Sequence, residues 1–240
     1  MDKYLIIDSR MRKVEKDYFR NIGYTLIEIP KSKKVYNEIS SHVDIFCVKI
    51  NDKLFLEPSI SEYFQKNRYK LPNILIGKTS VSSCYPQDIV YNVCQIGNNV
   101  IHNFKYTDSN VLDYINSERL NKINVKQGYS NCSIAVIDEN SAIVTDEKIA
   151  EALRKNNIDV LCLKEELNIK LLNADGSFSK MKGFIGGCFA KIGNKIIIFG
   201  DLNSFNESEK IKNFINNRGL EIIDFKGLQI IDYGGVVDIN

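Results

Sequence analysis

Short apolar runs divided by two-residue polar turns recur along the chain. Asn and Asp tolerate the positive φ angles of tight hairpin turns, so each turn predicts a β-hairpin. The predicted turns are Asn51-Asp52, Asn98-Asn99, Glu139-Asn140 and Asn194-Lys195. In the first two hairpins the apolar runs predict strands at 45–50 and 54–56, and at 89–96 and 100–104. Their recurrence, although irregularly spaced, indicates an internal repeat.

Each hairpin is followed by a segment with the i, i+3, i+4 apolar spacing of an amphipathic helix. Polar residues predict where three of these helices begin, namely Ser59 in a capping box with Glu62, Asp146, and Ser208. Apolar strands follow the last two helices at 159–163 and 220–225. The repeated unit is therefore strand, strand, helix, strand (ββαβ). The apolar helix positions are Ile60, Tyr63 and Phe64; Val111, Leu112 and Ile115; Ile149, Ala152 and Leu153; and Ile211, Phe214 and Ile215.

The two chain ends supply parts of one further unit. Residues 4–29 predict a strand, a helix and a second strand, but they lack the first strand of a hairpin. The C-terminal part adds strand-like sequence at 228–232 and 236–239. If the ends complete a fifth unit together, residues 1–240 form a single-domain α/β propeller of five ββαβ units, closed by the N- and C-terminal strands. A solenoid is the alternative, but it needs atypical capping repeats that the sequence does not show.

Composition narrows the class of protein. The 240 residues include 32 Lys and Arg against 30 Asp and Glu, and the basic residues are scattered, which argues against a nucleic-acid-binding surface. No apolar run approaches the roughly 20 residues of a membrane span, and the run at 5–7 is too short for a signal peptide. We therefore expect a cytoplasmic protein whose six cysteines are free thiols. With no Cys-x-x-Cys pair and only two histidines, we expect no metal and no cofactor.

The candidate functional residues lie where the first strand of each unit begins. If the units are equivalent, these residues face one another near the axis of the ring, where we expect a pocket for a small-molecule substrate or ligand. The residues are His42, Val43 and Asp44; Asp88 and Asn92; Asn131, Cys132 and Ser133; Gly186, Gly187 and Cys188; and Asp232, Tyr233, Gly234 and Gly235. Those expected to bind the ligand are Asp44, Asp88, Asn131, Gly186, Gly187 and Asp232.

Four of these residues carry candidate chemistry. Residues two apart on a strand share a face, so His42 and Asp44 would point into one cleft, where the carboxylate orients the imidazole or binds a cation. The alternative is a partly exposed strand end with ordinary hydrogen bonds. Cys132 and Cys188 would be nucleophiles if a nearby cation or backbone donors lowered the thiol pKa from its free value of about 8.5. Otherwise they are inert buried side chains, the usual state of a free cysteine.

Four stretches resemble the penteins, the α/β-propeller superfamily of guanidine-modifying enzymes. The stretch 42–46, His-Val-Asp-Ile-Phe, is similar to the His-x-Asp motif of agmatine and arginine deiminases. The resemblance implies that His42 is a general base, that a cysteine attacks the guanidinium carbon, and that carboxylates hold the cationic substrate. Three further stretches resemble an uncharacterised bacterial branch of this fold: 126–133 (Lys-Gln-Gly-Tyr-Ser-Asn-Cys-Ser), 183–187 (Gly-Phe-Ile-Gly-Gly) and 199–202 (Phe-Gly-Asp-Leu).

The sequence departs from the pentein pattern at its C-terminal end. In that family the nucleophilic cysteine follows a Gly-rich run, whereas here Asp-Tyr-Gly-Gly at 232–235 is followed by Val-Val-Asp-Ile-Asn. Two hypotheses follow. The first is a hydrolase or amidinotransferase in which Cys132 or Cys188 is the nucleophile. The second is a non-catalytic propeller that binds a small ligand or docks a protein or ribonucleoprotein partner, as pentein-like ribosome anti-association factors do.

Overall fold

A computed structural model describes residues 3–67, 69 and 71–239. Within these residues the strands are β1 Lys3–Asp8, β2 Tyr24–Ile29, β3 Cys47–Ile50, β4 Lys53–Leu56, β5 Ile74–Ile76, β6 Cys94–Ile96, β7 Asn99–His102, β8 Asn121–Asn124, β9 Ile134–Asp138, β10 Ser141–Val144, β11 Asp159–Cys162, β12 Lys170–Leu172, β13 Phe178–Lys182, β14 Phe189–Ile192, β15 Lys195–Ile198, β16 Glu221–Asp224 and β17 Val237–Ile239. The α-helices are α1 Lys13–Asn21, α2 Val43–Phe46, α3 Pro58–Lys66, α4 Ser109–Ser117, α5 Ser130–Ser133, α6 Glu147–Arg154 and α7 Ser208–Asn216. Short 3₁₀ helices span Asn37–Ile39, Gly186–Cys188 and Leu202–Ser204.

Five three-stranded sheets share one topology. In each sheet the central strand pairs antiparallel with one neighbour and parallel with the other, and a helix connects the two parallel strands. The predicted mixed α/β class is thus confirmed, with its strands arranged in small sheets. The sheets are sheet I (β17-β1-β2), sheet II (β3-β4-β5), sheet III (β6-β7-β8), sheet IV (β9-β10-β11) and sheet V (β14-β15-β16).

The two chain ends meet in sheet I. The C-terminal strand β17 pairs antiparallel with β1, so that Tyr4 lies opposite Ile239 and Ile6 opposite Val237. The C-terminal strand therefore supplies the strand that the N-terminal unit lacks. The hairpin of β12 and β13 was not predicted, and outside the hairpin β12 makes one bridge, from Lys170 to Ile231.

Neighbouring sheets pack against one another through shared apolar clusters. One apolar cluster joins sheets I, II and III, and others join III to IV, IV to V, and V back to I. In β15, Ile196 and Ile198 belong to the cluster shared with sheet IV, whereas Ile197 packs against sheet I. Because both faces of such a strand are buried, its sequence is continuously apolar rather than alternating.

Several predicted boundaries are wrong. The strands predicted at 45–50 and 89–96 begin only at Cys47 and Cys94, because the residues before them form helical or irregular turns. The segment 228–232 is not a strand and makes a single bridge between Ile231 and Lys170.

The predicted side-chain caps of the helices are correct in one case of three. Asp146 accepts hydrogen bonds from the backbone of Lys148 and Ile149, as predicted. Helix α3 is capped by Glu57 rather than Ser59, and α7 begins at Ser208 without a side-chain cap. The cap of α3 was missed because a glutamate two residues before the predicted start is an uncommon N-cap.

Candidate active site

The first strands of sheets I to V are each preceded by a short stretch that we term an approach segment: residues 232–236, 42–46, 88–93, 129–133 and 185–188. Hydrogen bonds join these segments in sequence: Val43 N to Tyr233 O (3.4 Å), Asp44 N to Gly234 O (3.3 Å), Asn92 Nδ2 to Asp44 O (3.5 Å), Asn131 N to Asn92 O (3.2 Å), and Tyr233 N and Gly235 N to Gly187 O (3.0 Å each). Close packing of Gly186 against the Asn131 carbonyl completes the closed set. The structure thus brings the approach segments of all five sheets into contact.

The local backbone of this site differs from the prediction. His42 and Asp44 do not lie on a strand, because His42 precedes helix α2 and Asp44 lies in its first turn. Cys132 lies in helix α5 and Cys188 in a 3₁₀ turn. His42 and Asp44 are therefore neighbours because of this helical turn, and not because they share one face of a strand.

Glycines allow the approach segments to come this close. A β-carbon at Gly187 would overlap the carboxylate of Asp232. Gly234 has a φ of 69°, and a β-carbon there would press on Asp44 and His42. A residue with a side chain at either position would push these charged groups apart.

Asp44 and Cys132 form the most direct pair of reactive groups in the site. The thiol of Cys132 donates to Oδ2 of Asp44 at 2.9 Å. Asn131 Nδ2 also donates to this oxygen, at 3.1 Å, and Asn92 Nδ2 lies 3.2 Å from the Cys132 sulfur. The other Asp44 oxygen, Oδ1, is buried without a hydrogen-bond partner. The pair therefore combines a thiol, a carboxylate in contact with it, and a carboxylate oxygen without a hydrogen-bond partner.

Burial sets the ionisation of this pair. It raises the pKa of Asp44 to about 6, with Asp232 adding to the rise and His42 opposing it. Burial also raises the pKa of the Cys132 thiol well above its ordinary value, and the carboxylates of Asp44 and Asp232 raise it further. At neutral pH Asp44 is thus largely ionised and Cys132 carries its proton.

Cys188, the second predicted nucleophile, lacks such a partner. Its thiol donates to the carbonyl of Ile185 at 3.1 Å, and burial raises its pKa, to which Asp232 contributes. No base contacts its sulfur among the described residues, so its surroundings match the inert alternative more closely than those of Cys132.

His42 lies between two carboxylates. Its Nε2 is 3.3 Å from Asp232 Oδ1, and its Nδ1 is 3.5 Å from Asp8 Oδ2 and 2.9 Å from Arg10 Nη2. Burial lowers the pKa of His42, but Asp232 and Asp8 outweigh it and raise the pKa to about 9. A protonated imidazole cannot accept a proton, so the geometry does not favour His42 as the general base.

Asp88 lies beneath an aromatic pair rather than beside Asp44. Its Oδ2 accepts a hydrogen bond from the hydroxyl of Tyr129, and its Oδ1 is buried without a partner. The Tyr129 ring stacks on Phe184, with ring centres 5.9 Å apart. Phe184 N donates to Asp232 at 2.8 Å, so the stacked pair of Tyr129 and Phe184 is connected to the site.

A cavity of about 370 Å³ leads to Asp44. Strands β3, β6, β9, β14 and β17, one from each sheet, contribute to its wall, while Asp44, Asn131 and Gly234 line it from the approach segments. Its size suits a small molecule. Four acidic residues line it against two lysines: Asp44, Asp138, Glu139 and Asp238 against Lys49 and Lys191.

Sequence reasoning missed Asp8, Arg10 and Ser41. All three are buried and contact one another near His42. A charged residue at the end of an apolar strand, followed two residues later by arginine, was the available signal. The search for equivalent positions at the strand beginnings of the repeated units does not select Asp8 or Arg10.

Among the residues that the structure describes, no group of three or more His, Cys, Asp or Glu side chains is arranged to hold a metal ion. Over the same residues, no helix combines the length and the apolar character needed to cross a membrane.

Solved structures share this fold. A dimethylarginine dimethylaminohydrolase, as an adduct with S-methyl-L-thiocitrulline, superimposes with a TM-score of 0.57 at 9% identity over 95% of this chain and 93% of that chain. A DDAH from Pseudomonas aeruginosa complexed with citrulline gives 0.56 at 8% identity over 95% and 92%. An agmatine deiminase from C. jejuni with substrate bound gives 0.50 at 11% identity over 99% and 93%. The resemblance to the penteins is confirmed, and identities this low show the fold alone.

Residues 6–237 match the model of DUF6873, described as a family of unknown function. No curated protein matches the chain by sequence.

Proposed function

Given that the chain belongs to DUF6873, a family of unknown function, and has the fold of guanidine-modifying enzymes, we propose that it is a hydrolase or amidinotransferase for a small guanidine- or amidine-type cation. In this proposal the five sheets form a closed propeller, the cation binds to Asp44, and Cys132 is the nucleophile. The observation that carries the proposal is the hydrogen bond of 2.9 Å from the Cys132 thiol to Asp44 Oδ2, at the end of the cavity where Asp44 lies.

Asp44 is suited to bind such a cation. Its Oδ1 has no partner and is buried, a costly state for a carboxylate oxygen. A planar guanidinium or amidinium group offers paired N–H donors that match a carboxylate. The acidic excess of the cavity lining adds a favourable field for a cation.

Binding of the cation would also activate the thiol. The Cys132 thiol keeps its proton in the free protein partly because the charge of Asp44 raises its pKa. A cation bound to Asp44 offsets that charge and favours the thiolate. As the bond from sulfur to the central carbon forms, the positive charge of the bound group is lost, and Asp44 accepts the thiol proton in the contact already formed.

The bonds that change follow from these positions. The Cys132 sulfur forms a bond to the central carbon of the cation, the thiol proton passes to Asp44, and that proton then leaves with the departing amine as the C–N bond breaks. Water releases the group from sulfur in a hydrolase, and a second amine accepts it in a transferase. His42 remains protonated and stabilises the carboxylates, in place of the general-base role implied by the pentein resemblance.

The test is modification of the native protein by 2-chloroacetamidine, a cationic amidine. The Cys132 sulfur displaces chloride to form a thioether, and peptide mapping reports the rate at each thiol. We expect modification of Cys132 to saturate with reagent concentration and to be at least tenfold faster than that of Cys84, the exposed thiol. Neutral iodoacetamide is the matched reagent, and it should modify Cys84 first.

Two variants complete this experiment. Cys132→Ser should remove the fast phase, whereas Cys188→Ser should leave it intact. If 2-chloroacetamidine modifies the thiols in order of their exposure, as iodoacetamide does, the nucleophile is not Cys132 and the proposal is wrong.

A second candidate function is binding without chemistry. The observation that favours it is that Cys132 is only 2% exposed and does not line the cavity, whereas Asp44 does. In that case guanidine compounds would bind in calorimetry in an Asp44-dependent way, while Cys132 would stay unmodified.

A further inference from the structure

A buried polar cluster lies behind Asp44 and has no part in the chemistry proposed above. We infer that Arg10 and Asp8 are positioning residues, which fix the orientation of the His42 ring and, through Asp232 and the Gly234 turn, hold Asp44 against Cys132. This inference rests on the proposed function of the Asp44–Cys132 pair and assigns the residues that keep the pair in place.

Arg10 is the centre of the cluster. Its Nε and Nη2 donate to the two oxygens of Asp8 at 3.0 Å and 2.6 Å, and Nη2 also lies 2.9 Å from His42 Nδ1. Ser41 Oγ donates to Asp8 at 2.6 Å, which orients the carboxylate from the other side. The protonated Nδ1 of His42 lies 3.5 Å from Asp8 Oδ2, so the ring is held on this side by a carboxylate that Arg10 and Ser41 fix.

Arg10 also ties distant parts of the chain to the site. Its Nη1 donates to three main-chain carbonyls, those of Asn37 (3.2 Å), Glu38 (2.9 Å) and Leu172 (2.6 Å). These carbonyls belong to the stretch before His42 and to the strand β12. Only a planar guanidinium offers this many donors in a fixed arrangement, so lysine cannot replace it.

On the Nε2 side of the His42 ring, contacts through Asp232 and Gly234 connect His42 to Asp44. Nε2 is 3.3 Å from Asp232 Oδ1, and the same oxygen accepts from Gly234 N at 2.8 Å. The Gly234 carbonyl in turn accepts from Asp44 N at 3.3 Å. Because Gly234 has no side chain and packs on both His42 and Asp44, a shift of the ring is passed to Asp44.

The experiment uses the full-length Arg10→Lys variant, which keeps the charge beside Asp8 but loses the planar fork. We expect a tenfold slower modification of Cys132 by 2-chloroacetamidine, with the rate of Cys84 unchanged. We also expect the midpoint of the pH profile of Cys132 modification to move, which a loss of stability alone would not cause.

The two histidines of the chain provide a spectroscopic control. In protein labelled with ¹⁵N-histidine, the His42 ring signals should report a protonated ring and should change in Arg10→Lys. Burial lowers the pKa of His102 to about 4, so its ring stays neutral. Unchanged His102 signals would show that the variant is folded.

The outcomes separate this inference from the proposed function. If the wild-type protein shows no selective modification of Cys132, the proposed function fails and this inference falls with it. If Cys132 is modified selectively in the wild-type protein, and a folded Arg10→Lys protein is modified at the same rate, only the positioning role is overturned. If Arg10→Lys does not fold, Ser41→Ala decides, because it removes a single hydrogen bond to Asp8; a threefold slower rate supports the inference and an unchanged rate overturns it.

Discussion

Replacing Asp44 with asparagine is expected to slow the modification of Cys132 by 2-chloroacetamidine about 100-fold. The variant loses both the counter-charge for the cationic reagent and the base that takes the thiol proton. A factor of about 100 corresponds to about 2.7 kcal/mol, within the range of a hydrogen bond to a charged group. The measurement is the rate of thioether formation at Cys132 at pH 7.5, determined by peptide mapping.

The same substitution is expected to stabilise the folded protein. Burial raises the pKa of Asp44 to about 6, above the value of about 3.9 in an unfolded chain. Such a group favours folding below pH 4 and loses that contribution as the pH rises through 6, which is an order-of-magnitude cost of about 3 kcal/mol. Asparagine avoids this cost and keeps an oxygen for Asn131. Chemical denaturation should therefore show a gain of about 1–2 kcal/mol at pH 7.5 that disappears at pH 4.

The matched control is Glu139→Gln, which removes a charge from the lining of the same cavity at an exposed position. We expect its Cys132 modification rate to stay within twofold of the wild-type rate. Equal slowing by both substitutions would mean that the general field of the cavity, rather than Asp44, binds the cation. A loss of stability in Asp44→Asn at pH 7.5 would show that Asp44 is a structural carboxylate.

The repeated unit was predictable because tight turns are local features. Asn51 has a φ of 52° at the tip of its hairpin, the conformation that its residue type favours. The third strands of sheets II and III escaped prediction because β5 is largely exposed and β8 reads Asn-Lys-Ile-Asn. The pairing of β8 depends on its parallel neighbour β7 rather than on an apolar pattern of its own, and β5 has only three residues.

The approach segments show where sequence periodicity misleads. The alternation His-Val-Asp-Ile-Phe at 42–46 fits a strand, yet these residues form a helical turn whose first N–H groups donate to Tyr233 and Gly234. The hydrogen bond from Asp44 N to Gly234 O joins residues that are 190 positions apart in the sequence. Such tertiary contacts therefore override the local strand-like pattern. The grouping of the site residues was predictable from the equivalence of the units, because equivalence does not depend on local conformation.

The cluster around Arg10 could not be inferred from the repeat. The partners of Asp8 and Arg10 lie between 2 and 162 residues away in the sequence. The prediction that His42 is a general base did not take into account Asp8 and Arg10, which lie beside its ring. Asp232 and Asp8 outweigh the effect of burial and raise the pKa of His42 to about 9, an influence that the local His-x-Asp pattern does not show.

The largest effect on stability is expected for Asp8→Asn, which should lower the free energy of unfolding by about 3–5 kcal/mol at pH 7. The substitution leaves Arg10 and the protonated His42 buried with one carboxylate fewer, and an unpaired buried charge is far more costly than an exposed one. Asp17→Asn is the matched control, because Asp17 pairs with Lys13 and Arg20 at the surface. We expect no measurable change for it in urea denaturation.

The pH dependence of this difference tests its cause. Burial opposes ionisation of Asp8, but hydrogen bonds from His42 and Arg10 hold its pKa well below the usual range, so its contribution is present above pH 4 and is lost as the pH falls. The pKa of His42 is raised to about 9, so the stability from its charge is present below about pH 6.5 and is lost as the pH rises through 9. The difference between wild type and Asp8→Asn should therefore be largest between pH 5 and 7 and should shrink in both directions. If the difference in the free energy of unfolding stays the same from pH 6 to pH 10, the contacts of Asp8 with Arg10 account for the stabilisation. The charge of His42 then makes no contribution to it.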